Sequence, residues 1–348
     1  MKPIKAPRLV GIDLGAKRSQ ICIIDEDNNV LVNISVPSSL AAILAIMKKY
    51  DALPAPVAVE ATFSWYWLVD GLQDHHCDVH LVHASGFSSI TKAKVKTDKR
   101  DAKTLAINLH SGNLPEAYIY PRENRGLRDL TRQRNSIVEK NSGVLRKLRC
   151  LLYREGHFEH QLDDAKGMEL EDLPRYFKDP LVQMQAKALI AEITSLTRIR
   201  KDVEERLLNT TKEQETHQLL QTIPGIGKIL SLVIGTEVGD IHRFRSVQGF
   251  CSYCRVAPGI AQSGASVKKG RANKAGNPHL KRSLHQAAVL ACTHDPSWHA
   301  WREKLLARNN GLGARMKATN AVAHRIARIT FAVLRNKTPY KENNSQAS

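Results

Sequence analysis

Four carboxylates in three separate stretches carry the chemistry most open to this chain. Asp13 sits inside the apolar run Leu9-Val10-Gly11-Ile12-Asp13-Leu14-Gly15, Glu60 closes Pro56-Val57-Ala58-Val59, and Asp98 and Asp101 lie three apart in Thr97-Asp98-Lys99-Arg100-Asp101. An ionised group inside a buried strand is costly unless a cation, a metal or hydrogen bonds compensate it. Asp13 therefore asks for a partner. The period of two puts it with Gly11 and Gly15 on one face, where small neighbours leave room for a ligand. Helical spacing sets Asp98 and Asp101 side by side on one turn, where like charges repel and the helix dipole offsets only a few tenths of a kcal/mol. If the strand ends converge on that turn, four carboxylates make a hard-oxygen site for magnesium or manganese. A capped, solvated helix start is the plainer reading of the Asp98–Asp101 pair.

A second constellation lies in the last third of the chain. Ile223-Pro224-Gly225-Ile226-Gly227-Lys228 reads as a helix-hairpin-helix turn, whose glycines would let backbone N–H groups approach a phosphate at a helix start. Further on, Gln262-Ser263-Gly264-Ala265-Ser266 opens a long polar loop carrying Lys268, Lys269, Arg271 and Lys274, and Pro278 is placed to begin the next helix. From Arg255 to Arg335 there are 15 lysines and arginines against Asp295 and Glu303, so +13 of the chain's formal +18 lies here. Such a concentration, in a glycine-rich loop and on helices with apolar stripes, suits a surface that tracks phosphates. The pair Cys251 and Cys254, with Cys292 and His294, has spacing that zinc could use, but two buried helix positions explain it better. The six scattered cysteines read as reduced thiols.

The elements that must position these residues follow from periodicity. Leu9 to Gly15, Ser19 to Ile24 and Val30 to Val36 read as three antiparallel strands, and Ser38 caps a helix through Leu40, Ile43, Leu44 and Met47. A strand ending on Glu60, a helix through Trp65, Leu68, Val69 and Leu72, and a strand through Val79 and Leu81 complete an α/β sheet of ribonuclease-H type. From Gly126 to His157 the pattern becomes a heptad seam, with Arg134 and Asn141 at seam positions. A second seam runs from Val182 to Leu207 with Arg200 in it. These two helices are expected to form an antiparallel hairpin, an intermolecular coiled coil or a simple bundle. No run of about 18 apolar residues could span a bilayer, and no signal-like apolar segment opens the chain. A cytoplasmic protein is expected.

Taken in order, Asp13, Glu60, Lys96-Thr97-Asp98-Lys99-Arg100-Asp101, the Pro-Gly-Ile-Gly turn and Gln262-Ser263-Gly264 resemble the DEDD transposases, and among them the "one-ten" family of bacterial insertion sequences, the bridge-RNA-guided recombinases. The resemblance runs from about residue 8 to residue 335. It implies a RuvC-like catalytic domain over 1–122, a coiled-coil domain over 123–212 that serves assembly into a dimer or tetramer, and a mainly helical transposase domain over 213–340. It also implies Asp13, Glu60, Asp98 and Asp101 as ligands of two Mg2+ or Mn2+ ions, and Ser263 as a nucleophile forming a transient link to DNA. Donor and target DNA and a non-coding bridge RNA would be the partners, and the nucleoid the place of work. Gly225, Gly227, Lys228, Lys268, Lys269, Arg271 and Lys274 would contact nucleic acid. Cys251 and Cys254 stand where apolar residues are commoner, and Ala265 replaces a second glycine, which leaves Ser266 as an alternative nucleophile. Two rivals remain in the residues themselves. Gly-Ile-Asp-Leu-Gly also opens sugar-kinase-like ATPases, and a non-catalytic nucleic-acid binder could keep the basic surface alone.

Overall fold

The computed structural model describes residues 8–83, 86–87, 97–158, 167–168, 170–257, 260–263, 266–269, 275–308, 311 and 313–341. The chain divides into two compact units, residues 1–122 and 123–348.

The first unit is a five-stranded mixed sheet in the order β3-β2-β1-β4-β5. Its strands are β1 (Leu9–Asp13), β2 (Arg18–Ile24), β3 (Val30–Pro37), β4 (Pro56–Glu60) and β5 (Asp78–Val82). β1 pairs antiparallel with β2 and parallel with β4, so it is the strand where the meander turns into the crossover half. Alternation sorts the sheet's side chains. Val10, Ile12, Ile21, Ile23, Val57 and Val59 face one way, into a core with α1 (Leu40–Lys49) and α2 (Tyr66–Asp74). Leu9, Cys22 and Ile24 face the other way, against Ala102 and Ala106 of α3 (Asp98–His110). Helices thus cover both faces, as buried parallel strands require. Burial pushes the Cys22 thiol, on the α3 side, up to about 11.

The first helix departs from the expected cap by one residue. Ser39 is the N-cap and accepts from the Ala42 amide, whereas Ser38 bonds the Ser19 hydroxyl at 2.7 Å and donates to the Gly15 carbonyl. β3 runs one residue further than the apolar pattern, to Pro37, so Ser38 is held by the sheet edge and the next serine takes the helix start.

In the second unit, α4 (Arg122–Arg154) and α6 (Pro180–Thr211) form an antiparallel hairpin. Val144, Leu148, Leu151, Ala186 and Ile193 fill its core. The polar seam positions meet one another: Arg134 Nε donates to Glu204 Oε1 at 2.7 Å, Arg200 stands 3.7 Å from the same oxygen, and Asn141 reaches Thr197 at 3.4 Å. The segment between the two helices contributes Met168, Leu173 and Phe177 to that core, the last two through α5 (Leu173–Tyr176) and its end. The rest of the unit packs α7 (Glu215–Gln221), α8 (Lys228–Val238), α9 (Val247–Tyr253), α10 (Pro278–His294), α11 (Pro296–Ala307) and α12 (Ala314–Asn336) around one apolar core. Cys251, Cys254 and Cys292 are buried in that core, and burial raises all three thiols. Among the described residues no helix is long and apolar enough to cross a membrane.

Candidate active site

Asp13 is the last residue of β1 and Glu60 the last of β4. Ile12 lies opposite Val59 in the parallel ladder, so the two carboxylates end neighbouring strands on the same edge, and both are half-buried. α3 packs across this face. Its Ala102 and Ala106 lie over Gly11, two residues before Asp13 on the same face, and its Leu105 clusters with Ala58, two residues before Glu60. The helix's first turn, with Asp98 and Asp101 on either side of Lys99, is tied to β3 through the Lys99 carbonyl, which accepts from Asn33 Nδ2 at 2.9 Å. Asp101 is buried and Asp98 exposed, as helical geometry demands of two residues flanking the edge of a packed face.

Two residues that the sequence did not single out hold that turn in place. Gln20 sits opposite Asp13 in the β1–β2 register and is 5% exposed. Its Nε2 donates to Asn33 Oδ1 at 2.6 Å, and Asn33 Nδ2 donates to the Lys99 carbonyl at 2.9 Å. A polar chain thus runs from the register position of Asp13 to the first turn of α3. The signal was present as a glutamine and an asparagine among the apolar residues of β2 and β3. Thr97 is the N-cap in extended conformation, though its hydroxyl makes no capping bond.

All four donors are hard oxygens, which fits a divalent cation of the magnesium class. Among the described residues no three histidine, cysteine, aspartate or glutamate side chains are gathered as a metal-holding group. Asp13 and Glu60 end adjacent strands, and Asp98 and Asp101 share the first turn of α3.

The remaining site residues belong to the second unit. Ser263 ends strand β6 (Ile260–Ser263) and lies opposite Ser266, which begins β7 (Ser266–Lys269). What read as a long polar loop holds an antiparallel strand pair at this point, with the two candidate serines opposite each other. Lys268 and Lys269 pair with Ala261 and Ile260, while Arg271 and Lys274 fall outside the described residues. The segment ends on Asn277, whose Oδ1 caps α10 by accepting from His279 and Leu280. Asn277 Nδ2 also donates to Glu237 Oε2 at 2.7 Å. Glu237 in turn receives both arms of Arg132, at 2.6 and 2.8 Å. Burial alone would raise the Glu237 carboxyl, but Arg132 and Asn277 together carry it below its ordinary range. This triad, with Glu237 and Asn277 buried and Arg132 partly exposed, joins α4, α8 and the start of α10, and no local pattern announced it.

The Pro-Gly-Ile-Gly turn lies between α7 and α8 as expected. Gly225 has φ +81°, and a Cβ there would stand 2.1 Å from the Ala287 carbonyl oxygen of α10. Its need for glycine is thus internal. Gly227 and Lys228 are exposed, and nothing stands within 4 Å of a Cβ at Gly227. On α12, Arg315, Lys317 and Arg328 are exposed, opposite the buried stripe of Val322, Ile326 and Val333.

The mixed sheet followed by a largely helical remainder is compatible with a ribonuclease-H-like DEDD domain and a helical C-terminal part. Comparison with known proteins agrees. Residues 10–155 match an IS110 DEDD family described as "Transposase", and residues 217–302 match the "Transposase IS116/IS110/IS902 family". The chain is 24% identical to the transposase for insertion sequence element IS1111A of Coxiella burnetii, over 98% of this chain and 92% of that protein. It is 23% identical to the pilin gene-inverting protein of Moraxella bovis, over 95% of this chain and 97% of that one. A third relative, the transposase for insertion sequence element IS1328 of Yersinia enterocolitica, is 24% identical, covering 80% of this chain and 82% of its own. The class is therefore that of enzymes that recombine DNA. Within it, the chain belongs to the IS110-type DEDD transposases.

Proposed function

We propose that this transposase cuts and rejoins DNA strands with Asp13, Glu60, Asp98 and Asp101 as its metal-holding residues and Ser263 as its nucleophile. The observation that supports the reading is that Asp13 and Glu60 end neighbouring strands on the sheet face against which α3, the helix bearing Asp98 and Asp101, packs. Divalent cations, when bound there, supply the positive charge that lets an oxygen attack phosphorus and another leave. Gln20 and Asn33 hold the helix start against the sheet. Buried Asp101 fixes one donor, and exposed Asp98 is free to close on the substrate.

A serine hydroxyl is a weak nucleophile at neutral pH and needs this activation. As the bond from Ser263 Oγ to phosphorus forms, the bond to the 3′-oxygen breaks. The serine proton passes to water and the 3′-oxygen takes one up. Reversal of the same step rejoins the strand without an external energy source. Lys268, Lys269, Arg271 and Lys274 neutralise the phosphates flanking the serine, and Gly227 and Lys228 take a phosphate further along. The shape of the turn rests on Gly225.

Around this centre the reading adds a bridge RNA that selects donor and target DNA. It also adds a coiled-coil role for the 123–212 hairpin in joining copies into a dimer or tetramer, with 213–340 as a transposase domain of its own. The place of work is the cytoplasm, at the nucleoid. The test is strand cleavage in Mg2+ or Mn2+ by the protein with its co-purified RNA. Asp13→Ala and Asp101→Ala should each abolish cleavage while DNA binding persists. Cleavage by either variant, or the absence of a discrete co-purified RNA, would overturn the corresponding part of the reading.

A further inference from the structure

Three residues beyond Glu60 the chain exposes a phenylalanine almost completely. Phe63 is 92% exposed, in the turn between β4 and α2. An apolar ring so placed gains nothing for the fold. The turn is nevertheless tightly built. The Ala61 amide bonds the Val82 carbonyl at 2.9 Å, the Thr62 amide folds back onto the Glu60 carbonyl at 2.9 Å, and Val69 bonds back to Trp65 at 3.0 Å. Trp65, two residues later, is buried in the apolar core and meets Tyr66 edge-on at 4.6 Å. Anchors on both sides present Phe63 outward, so its exposure is a feature of a fixed turn. Trp67, the second residue of α2, is another partly exposed ring.

Three residues of chain span at most about 10 Å, the rise of about three stacked bases at roughly 3.4 Å each. A ring at that distance from the strand end bearing Glu60 can meet a base close to the phosphate that the carboxylates act on. Strand exchange requires bases near the cut to leave their partners, and an unpaired base offers a flat face to any aromatic ring. We propose that Phe63 stacks on an unpaired nucleobase of the DNA strand beside the cut and so holds the scissile phosphate at the carboxylates. This rests on the assignment of Glu60 and its three companions as the cutting site. A lone ring in a polar turn is too small for a protein interface, which buries about 800 Å² on each partner.

The test uses the full-length protein with its RNA and DNA carrying 2-aminopurine at single positions on either side of the cut. Base stacking quenches that fluorophore. Wild type should quench it at one position, Phe63→Ala and Phe63→Leu should not, and Phe63→Trp should restore the quenching. Cleavage should fall about 5- to 150-fold in the alanine and leucine variants, the span found when a stacked aromatic is truncated, with the melting temperature unchanged. Wild-type quenching and cleavage by Phe63→Leu would overturn the proposal. So would a change of oligomeric mass in Phe63→Ala with quenching intact, since that would mark a protein contact. Asp13→Asn separates the two readings. Lost cleavage with quenching retained supports both, whereas retained cleavage with Phe63-dependent quenching removes the carboxylate assignment and leaves the stack. Lost cleavage in Asp13→Asn, with no quenching in any protein, removes the stack alone.

Discussion

Gly11 and Ala102 touch backbone to backbone: a Cβ on Gly11 would stand 2.1 Å from the Ala102 carbonyl oxygen and 2.6 Å from the Ala106 amide nitrogen. Strand β1 and helix α3 can approach this closely only because position 11 has no side chain. The contact lies two residues before Asp13 and one after Asp101, so the packing that closes the domain also sets the distance between two acids from different elements.

Gly11→Ala should therefore unseat α3. Forcing an atom into backbone that has no flexible group to yield is expected to cost about 3 kcal/mol or more, the upper part of the overpacking range. Cleavage should fall with stability. Gly126→Ala is the contrast, because nothing lies within 4 Å of its Cβ and it sits inside α4. There the gain in helix propensity should raise stability by about 0.5–1 kcal/mol. Chemical denaturation of the two variants checks both signs.

Ser263→Ala should eliminate any covalent protein–DNA adduct and strand transfer. DNA affinity should change by less than about fivefold, since one neutral hydrogen bond contributes about 1 kcal/mol at most to such a charged surface. Denaturing gels with labelled DNA, followed by peptide mapping, report the adduct. Mapping to Ser266, its partner across the hairpin, would move the nucleophile by one turn of chain.

Arg132→Ala should destabilise the second unit by about 3 kcal/mol, toward the low end for breaking a buried pair because the guanidinium is 37% exposed while Glu237 is 1% exposed. Arg132→Lys should recover only part, since it offers one prong where two are used. Urea unfolding of the single variants and of Arg132→Met with Glu237→Leu would show how much of the loss is the stranded charge. The double variant is expected to be milder than Arg132→Ala.

Acid should loosen the same unit. His217, His279, His285 and His324 all have imidazoles lowered from the ordinary 6.5, in each case first by burial. A depressed folded value means the stabilisation is complete above the unfolded value and is lost as pH falls through the folded one. The melting temperature should therefore hold above about pH 7 and decline from about pH 6.5 downward. Glu237, also lowered, adds a further decline in the carboxylate range. His217→Leu should flatten the first part of the curve in thermal melts across pH 5–8.

Alternating and helical periodicity were enough to read the order of elements, the two long amphipathic helices, Glu60 at a strand end and Asp98 with Asp101 at a helix start from the chain alone, whereas Asp13, read inside its strand, ends it. Those signals are local: a period of two or of 3.6 needs only a few neighbouring residues. Tertiary packing decided which faces meet. It made Gly225 a contact for α10, where the motif suggested room for a phosphate, and it turned the stretch around Ser263 and Ser266 into a strand pair. It also moved a cap from Ser38 to Ser39 and drew Met168, Leu173 and Phe177 into the hairpin core. Gln20, Asn33, Arg132 and Glu237 acquire meaning only through partners 13 to 105 residues away. A polar side chain's burial and its partner are properties of distant backbone brought close, and no window along the sequence contains both.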